Sequence, residues 1–227
     1  LFAAVPSQGE SDLQSLHGSL QLPLANRLQA LQSMGKEGFK SLEKIVFNDK
    51  ESLSNRWKSL TAMGILNSQK AKPVIERAFQ SRHWFLRNAG LVACRHGDRM
   101  WALDWAEKLL TDPSLVVRTA AVQVISHLNG LEKQEALWKS LNDSSNFRNG
   151  QSLWVRKKIV SVLARFAQKR QVSRFFELLR DDDSRLHPYA IRALQKITGQ
   201  QLVDDQDSFA TQRRKWLSYE STHAQAL

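Results

Sequence analysis

The chain has 227 residues, of which 42% are hydrophobic and 24% charged, a composition that indicates a folded chain and excludes a disordered tail. No apolar run approaches the roughly 20 residues that a membrane helix needs, and a single cysteine, Cys94, excludes an internal disulfide or a multi-cysteine metal cluster. Lys and Arg number 33 against 22 Asp and Glu, giving a formal net charge of +11, and polyanions are attracted to such a surface.

The N-terminal segment, residues 1–12, is predicted to be a flexible leader, because residues 5–12 are polar and rich in turn formers. Its first four residues, Leu1 to Ala4, have two interpretations. They resemble the end of a signal peptide, where small residues mark cleavage, or they are simply where this chain starts. A cytoplasmic and an exported location both stay open, since a lone cysteine is tolerated in either redox environment. One folded domain is expected over residues 13–227.

A sequence frame recurs along this domain. An Arg is followed four residues later by an aliphatic residue and seven residues later by another apolar residue. This spacing, with mostly small residues at position three, predicts a helix with one tightly packed face. We call these the first helices. The frame starts at Arg27, Arg56, Arg87, Arg118 and Arg156, and His187 takes the position a sixth time, at spacings of 29, 31, 31, 38 and 31 residues.

A second amphipathic helix follows each first helix. In the fifth pair, Val172, Phe175, Phe176 and Leu179 form a buried stripe at helical spacing. We predict the second helices at 37–48, 69–80, 99–111, 131–142, 169–180 and 207–220. Left-handed glycine caps are expected in the breaks between the two helices of a pair, at Gly35, Gly64, Gly97 and Gly130. No stretch shows strand alternation, so an all-α chain is predicted.

Helix pairs recurring at about 31 residues are typical of a stacked solenoid. The segments DPSLVVRTAA from Asp112 and DSRLHPYAIRAL from Asp183 resemble the HEAT repeat, in its short bacterial variety. The resemblance covers about residues 20–200. It implies a right-handed α-solenoid of about six HEAT-like helix pairs, closed near 207–220 by a capping C-terminal helix that contains Trp216. The end repeats depart from the pattern at Asn26, Asn55 and His187.

The arginines in register have two interpretations, a ladder for an anionic ligand or a structural framework. We favour the framework, because in HEAT-like proteins this arginine bridges neighbouring repeats by bonding loop carboxylates or carbonyls, and its planar fork suits such fixed pairing. The resemblance therefore assigns an inter-repeat structural role to Arg27, Arg56, Arg87, Arg118 and Arg156.

The one spacing of 38 residues places an insertion near 142–152, with the sequence NDSSNFRNGQS. Its composition predicts a solvent loop between helices. Insertions in solenoids emerge on one face and often carry function, whereas the alternative is a tolerated surface insertion.

The basic residues are concentrated between 144 and 180, where nine stand against one acid, Glu177. Phe147 and Trp154 interleave with them, and basic side chains next to aromatic rings suit phosphates and stacked bases. A solvated polar face is the alternative. We predict an anion-binding patch formed by Arg148, Lys157, Lys158, Lys169, Arg170 and Arg174.

Catalytic chemistry is weakly indicated. No phosphate-binding glycine loop and no metal-ligand spacing are present, so no cofactor, metal or catalytic residue is predicted, and Cys94 is expected to be an inert core residue. HEAT-like DNA glycosylases that remove alkylated purines need a carboxylate flanked by aromatic residues. Asp104 lies between Trp101 and Trp105, but the two tryptophans have the spacing of core residues.

The predicted function is therefore a non-enzymatic scaffold that docks a protein partner on a concave face lined by second helices, with an acidic segment of the partner at the basic patch. Trp84 and Trp154, near repeat junctions, are candidate interface anchors. The alternative is a nucleic-acid-binding protein that uses the same patch, with or without glycosylase activity. A monomer is expected.

Overall fold

The structure is a computed structural model that describes residues 8–204 and 206–223. The described residues are mostly helical, with one short two-stranded hairpin, which confirms the predicted all-α class. The chain divides into two compact units, Leu1–Ala106 and Glu107–Leu227, and each is described by itself below. The single repeat domain expected over 13–227 concerns both units together and stays a prediction.

In the first unit, helices occur at each predicted first and second position. The first helices α2, α4 and α6 alternate with the second helices α3, α5 and α7, and α4 packs against α3, α5 and α6. The boundary between the units falls inside α7. The helices are α1 (Gln8–Gln21), α2 (Leu24–Ser33), α3 (Gly35–Phe47), α4 (Leu53–Leu66), α5 (Ser68–Phe79), α6 (Trp84–Cys94) and α7 (Arg99–Lys108).

Helix α1 corrects the predicted leader. It begins at Gln8, so residues 8–12 are helical, while residues 1–7 of that leader lie outside the described part of the chain. Leu16 and Leu20, one turn apart, are buried, and α1 packs against α2, α3 and α4. A stripe of apolar residues at this spacing stabilises the helix on the first pair.

Of the four glycines predicted to form left-handed caps, only Gly35 has a positive φ, of 59°. Gly64 lies inside α4 rather than at its end, and a Cβ there would lie 2.6 Å from Cβ of Ala93. Its role is therefore to allow close approach of α4 and α6. Gly97 and Gly130 do not have a positive φ, and beside Gly130 the left-handed conformation is taken by Asn129, at φ 50°.

In the second unit, the first helices α8, α10 and α12 lie side by side, since α10 packs against both α8 and α12. Short 3₁₀ turns at Leu109–Thr111, Leu131–Lys133 and Lys169–Gln171 account for the parts of the predicted second helices that are not α-helical. The helices are α8 (Leu115–His127), α9 (Gln134–Leu141), α10 (Trp154–Arg165), α11 (Val172–Leu178), α12 (His187–Thr198) and α13 (Phe209–His223).

The last helix, α13, covers the end of the second unit as predicted for 207–220. It packs against α11 and α12, and its Trp216 is completely buried, with a ring centroid 6.2 Å from that of Phe176. An aromatic side chain of this size removes a large apolar area of the last pair from water.

The insertion near 142–152 is mostly exposed and contains a small hairpin at 147–152. Strands β1 (Phe147–Arg148) and β2 (Gln151–Ser152) pair antiparallel, and the two-residue turn between them has positive φ at Asn149 and Gly150, as a tight hairpin of this handedness requires. Asn146, just before β1, has 0% exposure. The sequence did not predict the burial of Asn146, because an asparagine in such a segment looks like a turn residue. No helix in 8–204 or 206–223 combines the length and apolar character of a membrane crossing.

Candidate functional site

The arginines of the column divide into a buried and a half-buried set. Arg56, Arg118 and Arg156 are buried, whereas Arg27 and Arg87 are half-buried. The half-buried pair each donate to a carbonyl oxygen shortly before their own helix, at Leu22 for Arg27 and Ser81 for Arg87. Burial lowers the pKa of Arg27, whose Nε has no hydrogen-bond partner among the described residues.

Arg118 joins the start of α8 to the insertion. Its Nε donates to Oδ1 of Asn146 at 2.8 Å, and Nη1 donates to the carbonyl oxygen of Asp112 at 2.7 Å. The Asn146 amide in turn donates to the carbonyl oxygen of Ser140 at 2.7 Å. Burial lowers the pKa of Arg118, and the charges of Asp143 and Asp112 oppose that effect. Arg118 Nη2 also donates to the carbonyl oxygen of Ser145, so this arginine holds the start of the insertion against the core.

Arg156 joins α10 to the segments on both sides of it. Nε donates to the carbonyl oxygen of Leu141 at the end of α9, and both Nη atoms donate to the Asp181 carboxylate beyond α11. The guanidinium also lies 4.5 Å from the ring centroid of Phe147 in the hairpin. His187, in the sixth position of the column, donates from Nε2 to the carbonyl oxygen of Asp181 at 2.9 Å. These contacts position the framework and leave Arg156 only 2% exposed.

The six predicted patch residues lie on three different elements of the second unit. Arg148 is in the hairpin, Lys157 and Lys158 are on the first helix α10, and Lys169, Arg170 and Arg174 are on the 3₁₀ turn and α11 that form a second helix. Lys157 lies over the ring of Tyr189 on α12, at 6.0 Å, whereas Arg174 lies over the ring of Trp138 on α9, at 5.4 Å. The structure therefore separates an α10 subset from a second-helix subset with different neighbours, and Arg148 in the hairpin belongs to neither.

Carboxylates from outside 144–180 neutralise part of this charge. Arg174 donates to both oxygens of Glu135, Arg180 pairs with Glu220, and Arg156 pairs with Asp181. Lys169 and Arg170 are exposed and have no ion pair among the described residues. The free positive charge of the second-helix subset is thus smaller than the sequence count indicates.

A groove of about 420 Å³ lies beside Arg174, between the second helices α9 and α11. Its lining mixes three carboxylates with two cations around one indole ring. It is formed by Glu135, Trp138, Lys139, Leu141, Asn142, Arg174, Glu177, Leu178 and Asp181. Such a mixed surface suits a protein segment that carries both charge signs, rather than a purely acidic one.

The segment considered for glycosylase activity has its aromatic rings turned into the core. Trp105 stacks on Phe79 with centroids 4.6 Å apart, and Trp101 lies 6.4 Å from the same ring while its Nε1 donates to Glu76. Asp104 is exposed. The carboxylate is therefore not flanked by the two indole rings in the way that recognition of a flipped base needs.

Cys94 is completely buried, and burial raises the pKa of its thiol to about 12. A thiol this far from ionisation is a poor nucleophile at neutral pH. Within 8–204 and 206–223, no three His, Cys, Asp or Glu side chains are grouped closely enough to hold a metal ion.

Three residues outside the predicted patch lie next to its α10 subset and were missed. Tyr189, Arg192 and Lys196 lie on α12, which packs against α10, and Arg192 lies 5.9 Å from the Tyr189 ring that Lys157 also faces. The signal was available in the sequence, because Ser161 and Arg165 of α10 correspond to Arg192 and Lys196 at a spacing of 31 residues.

No family of known proteins matches the chain, and no curated protein is similar enough to match it.

Proposed function

We propose that the protein is a non-enzymatic binding scaffold, built as a right-handed α-solenoid of about six HEAT-like helix pairs. The alternation of first and second helices within each unit supports this, together with the register of the column arginines. Arg156 bonds to the carbonyl oxygen of Leu141 at the end of the preceding pair. Arg118 and Arg156 also bond to the loops that lead from their own pairs to the next, at Asn146 and at Asp181. Bonds between consecutive pairs are what stacked repeats need, since each repeat buries its faces only against its neighbours.

The partner in this proposal is a protein segment that docks on the second helices, which line the concave surface of a HEAT-like stack. The observation that carries it is the groove between α9 and α11, where Trp138 and Arg174 are surrounded by charges of both signs. Tryptophan and arginine are the side chains most enriched in interface hot spots. Lys169 and Arg170, exposed about one turn before Arg174 on the same second helix, add attraction for acidic residues of the partner.

The test compares two double charge reversals that change the net charge equally. Lys169→Glu with Arg170→Glu alters the second-helix surface, and Lys157→Glu with Arg192→Glu alters the first-helix surface. The immobilised full chain is incubated with a nuclease-treated extract, and retained proteins are identified. A partner retained by the wild type and by the first-helix variant, but lost from the second-helix variant, is the expected result.

Equal retention by all three proteins contradicts docking on the second helices. A fall in melting temperature of more than about 4 °C in the second-helix variant assigns Lys169 and Arg170 to the framework instead, since this is roughly 1 kcal/mol for a unit of this size. Release of an alkylated base by the wild type, lost in Asp104→Asn, overturns the non-enzymatic proposal. The geometry around Asp104 gives that activity no support.

A further inference from the structure

The first helices have an unusual charge composition. None of the 22 acidic residues of the chain lies in α2, α4, α6, α8, α10 or α12. The second helices do contain acids, such as Glu135 in α9 and Glu177 in α11. The charges that a first helix itself contributes to the surface potential are therefore all basic.

In the second unit, the exposed Lys and Arg residues of the first helices are confined to α10 and α12. The exposed side of α8 presents Val116, Gln123 and His127, whereas the corresponding side of α10 presents Lys157, Lys158 and Arg165. On α12 it presents Arg192 and Lys196. Because α10 packs against α12, the two basic sides are adjacent. We call Trp154, Lys157, Lys158, Arg165, Tyr189, Arg192 and Lys196 the α10–α12 basic face.

Tyr189 joins the two halves of this face. Its ring centroid lies 6.0 Å from Nζ of Lys157 on α10 and 5.9 Å from Cζ of Arg192 on α12. The negative face of an aromatic ring attracts cations at these distances. Cations of both helices are thus associated with the same ring.

Two other cations of the face bond to neutral oxygens rather than to acids. Arg165 donates to the carbonyl oxygen of Ser126 and to Oδ1 of Asn129, and Lys196 donates to the carbonyl oxygen of Arg165. Neutral acceptors fix the side chains in place but do not cancel their charge. In the part of the chain that the structure describes, Lys157, Lys158, Arg165, Arg192 and Lys196 have no ion pair with a carboxylate.

Trp154 supplies an aromatic surface at one end of the face. It is the first residue of α10, is 49% exposed, and precedes Lys157 and Lys158 by three and four residues, so the three side chains lie on one side of the helix. It is also the single large exposed apolar side chain in α10 and α12. A protein interface is organised around several buried apolar anchors, whereas one flat ring among cations suits a stacked base.

We propose that the α10–α12 basic face binds single-stranded nucleic acid, with phosphates on Lys157, Lys158 and Arg192 and one base stacked on Trp154. Helical rise places Trp154 and Arg165 about 16 Å apart, the length of about five stacked nucleotides at roughly 3.4 Å each. This site goes beyond the proposed scaffold function, because it lies on first helices and needs no protein partner. It shares Lys157 and Lys158 with the six predicted patch residues, takes Trp154 and Arg165 from the same stretch, and adds Tyr189, Arg192 and Lys196 from α12.

The experiment measures fluorescence anisotropy of labelled dT and U oligomers of about 12 nucleotides with the full chain, from about 50 mM salt upward. We expect the wild type to bind with an affinity that falls steeply with salt. Lys157→Glu with Arg192→Glu should weaken binding at least about ten-fold and reduce the salt slope by about 1.4, which is roughly 0.7 for each phosphate that is no longer neutralised. Trp154→Ala should weaken binding about ten-fold with the slope unchanged, because it removes stacking and not charge.

The matched control is Lys169→Glu with Arg170→Glu, which makes the same change in net charge on a second helix and should alter affinity less than about two-fold. Equal weakening by both double variants shows attraction to the overall charge and overturns the proposal. Absence of binding at about 50 mM salt also overturns the proposal. Displacement of the oligomer by an equimolar acidic peptide overturns it as well. Preference for the dT or the U oligomer identifies DNA or RNA as the source of the same ligand chemistry. If the double reversal variant does not fold, Lys157→Gln with Arg192→Gln replaces it. We expect its loss of affinity to be about half-way between none and that expected for the reversal.

Discussion

Arg156 and Asp181 form a two-point ion pair, with hydrogen bonds of 2.6 Å from Nη2 to Oδ2 and 3.2 Å from Nη1 to Oδ1. The arginine is 2% exposed, and its remaining Nε donor is bonded to the carbonyl oxygen of Leu141. One side chain of α10 thus binds the end of α9 and the segment after α11 simultaneously. Planar, two-point pairing of this kind fixes orientation as well as distance.

Removal of the Asp181 carboxylate should therefore destabilise the second unit. Asp181→Ala leaves the buried guanidinium of Arg156 without its counter-charge, and we expect a loss of about 3 kcal/mol, at the lower end for buried pairs because the Asp181 side chain is 21% exposed. Urea unfolding of the full chain measures it. The neighbouring Asp182→Ala, at an exposed position, should change the free energy of unfolding by less than about 0.5 kcal/mol. Similar losses in both variants would refute a specific role for the pair.

Stability should fall in acid because of the same carboxylate. Burial alone tends to raise the pKa of Asp181, but hydrogen bonds from Arg156 and from the Asp183 backbone outweigh it and hold the pKa below the ordinary 3.8. A group whose pKa is lower in the folded state stabilises fully above its unfolded value and loses that contribution as pH falls below it. The melting temperature should be insensitive to this group between about pH 5 and 7 and should fall below about pH 4. In Asp181→Ala that acid-induced fall should be shallower; an unchanged pH profile would contradict the assignment.

Asn146 should be the residue that fixes the hairpin. Asn146→Ala removes the acceptor of the buried Arg118 Nε and the donor to Ser140, and leaving those groups unpaired should cost about 2–3 kcal/mol. Thermal unfolding followed by circular dichroism measures the loss. Ser144→Ala, two residues earlier and exposed, is the matched variant and should be nearly neutral. Equal melting temperatures for Asn146→Ala and the wild type would mean that the hairpin is held by other contacts.

Two glycine-to-alanine changes should have opposite signs. At Gly64 the new Cβ would lie 2.6 Å from Ala93 Cβ and 2.7 Å from its backbone, so α4 and α6 must separate, at a cost of about 1–3 kcal/mol. At Gly18 in α1 nothing lies within 4 Å, so alanine should stabilise by about 0.5–1 kcal/mol through its better helix propensity. Chemical denaturation of both variants tests the pair. A stabilising Gly64→Ala would show that the two helices are not in close contact.

The sequence predicted the helices well because each has its own apolar period. The stripe of Val172, Phe175 and Phe176, for instance, lies in the core as expected. What failed depended on partners remote in sequence. Asn146 resembles a turn residue until Arg118 is placed beside it, 28 residues away, and Arg174 counts as a free cation until Glu135 is placed 39 residues away.

The charges of single helices predicted the basic surface better than the sum of charges over residues 144–180 did. The sum over 144–180 mixes a first helix, a hairpin and a second helix, whose side chains have different neighbours. Sorting the charges by first and second helix, with the 31-residue register already known, points to Arg192 and Lys196 without any coordinates. Register therefore predicts which side of a helix a charge occupies, and only tertiary contacts show whether an acid cancels it.

The bonds made by Arg165 and Lys196 both run from one first helix to the first helix before it. Each of these cations lies in the last turns of a first helix and donates to a carbonyl at the end of the preceding one, Arg165 to Ser126 of α8 and Lys196 to Arg165 of α10. A helix end whose carbonyls are satisfied from outside frays less. We therefore expect each of these first helices to protect the last turn of the first helix before it from hydrogen exchange. Loss of α12 should loosen the last turn of α10, whereas loss of α8 should leave the last turn of α12 closed.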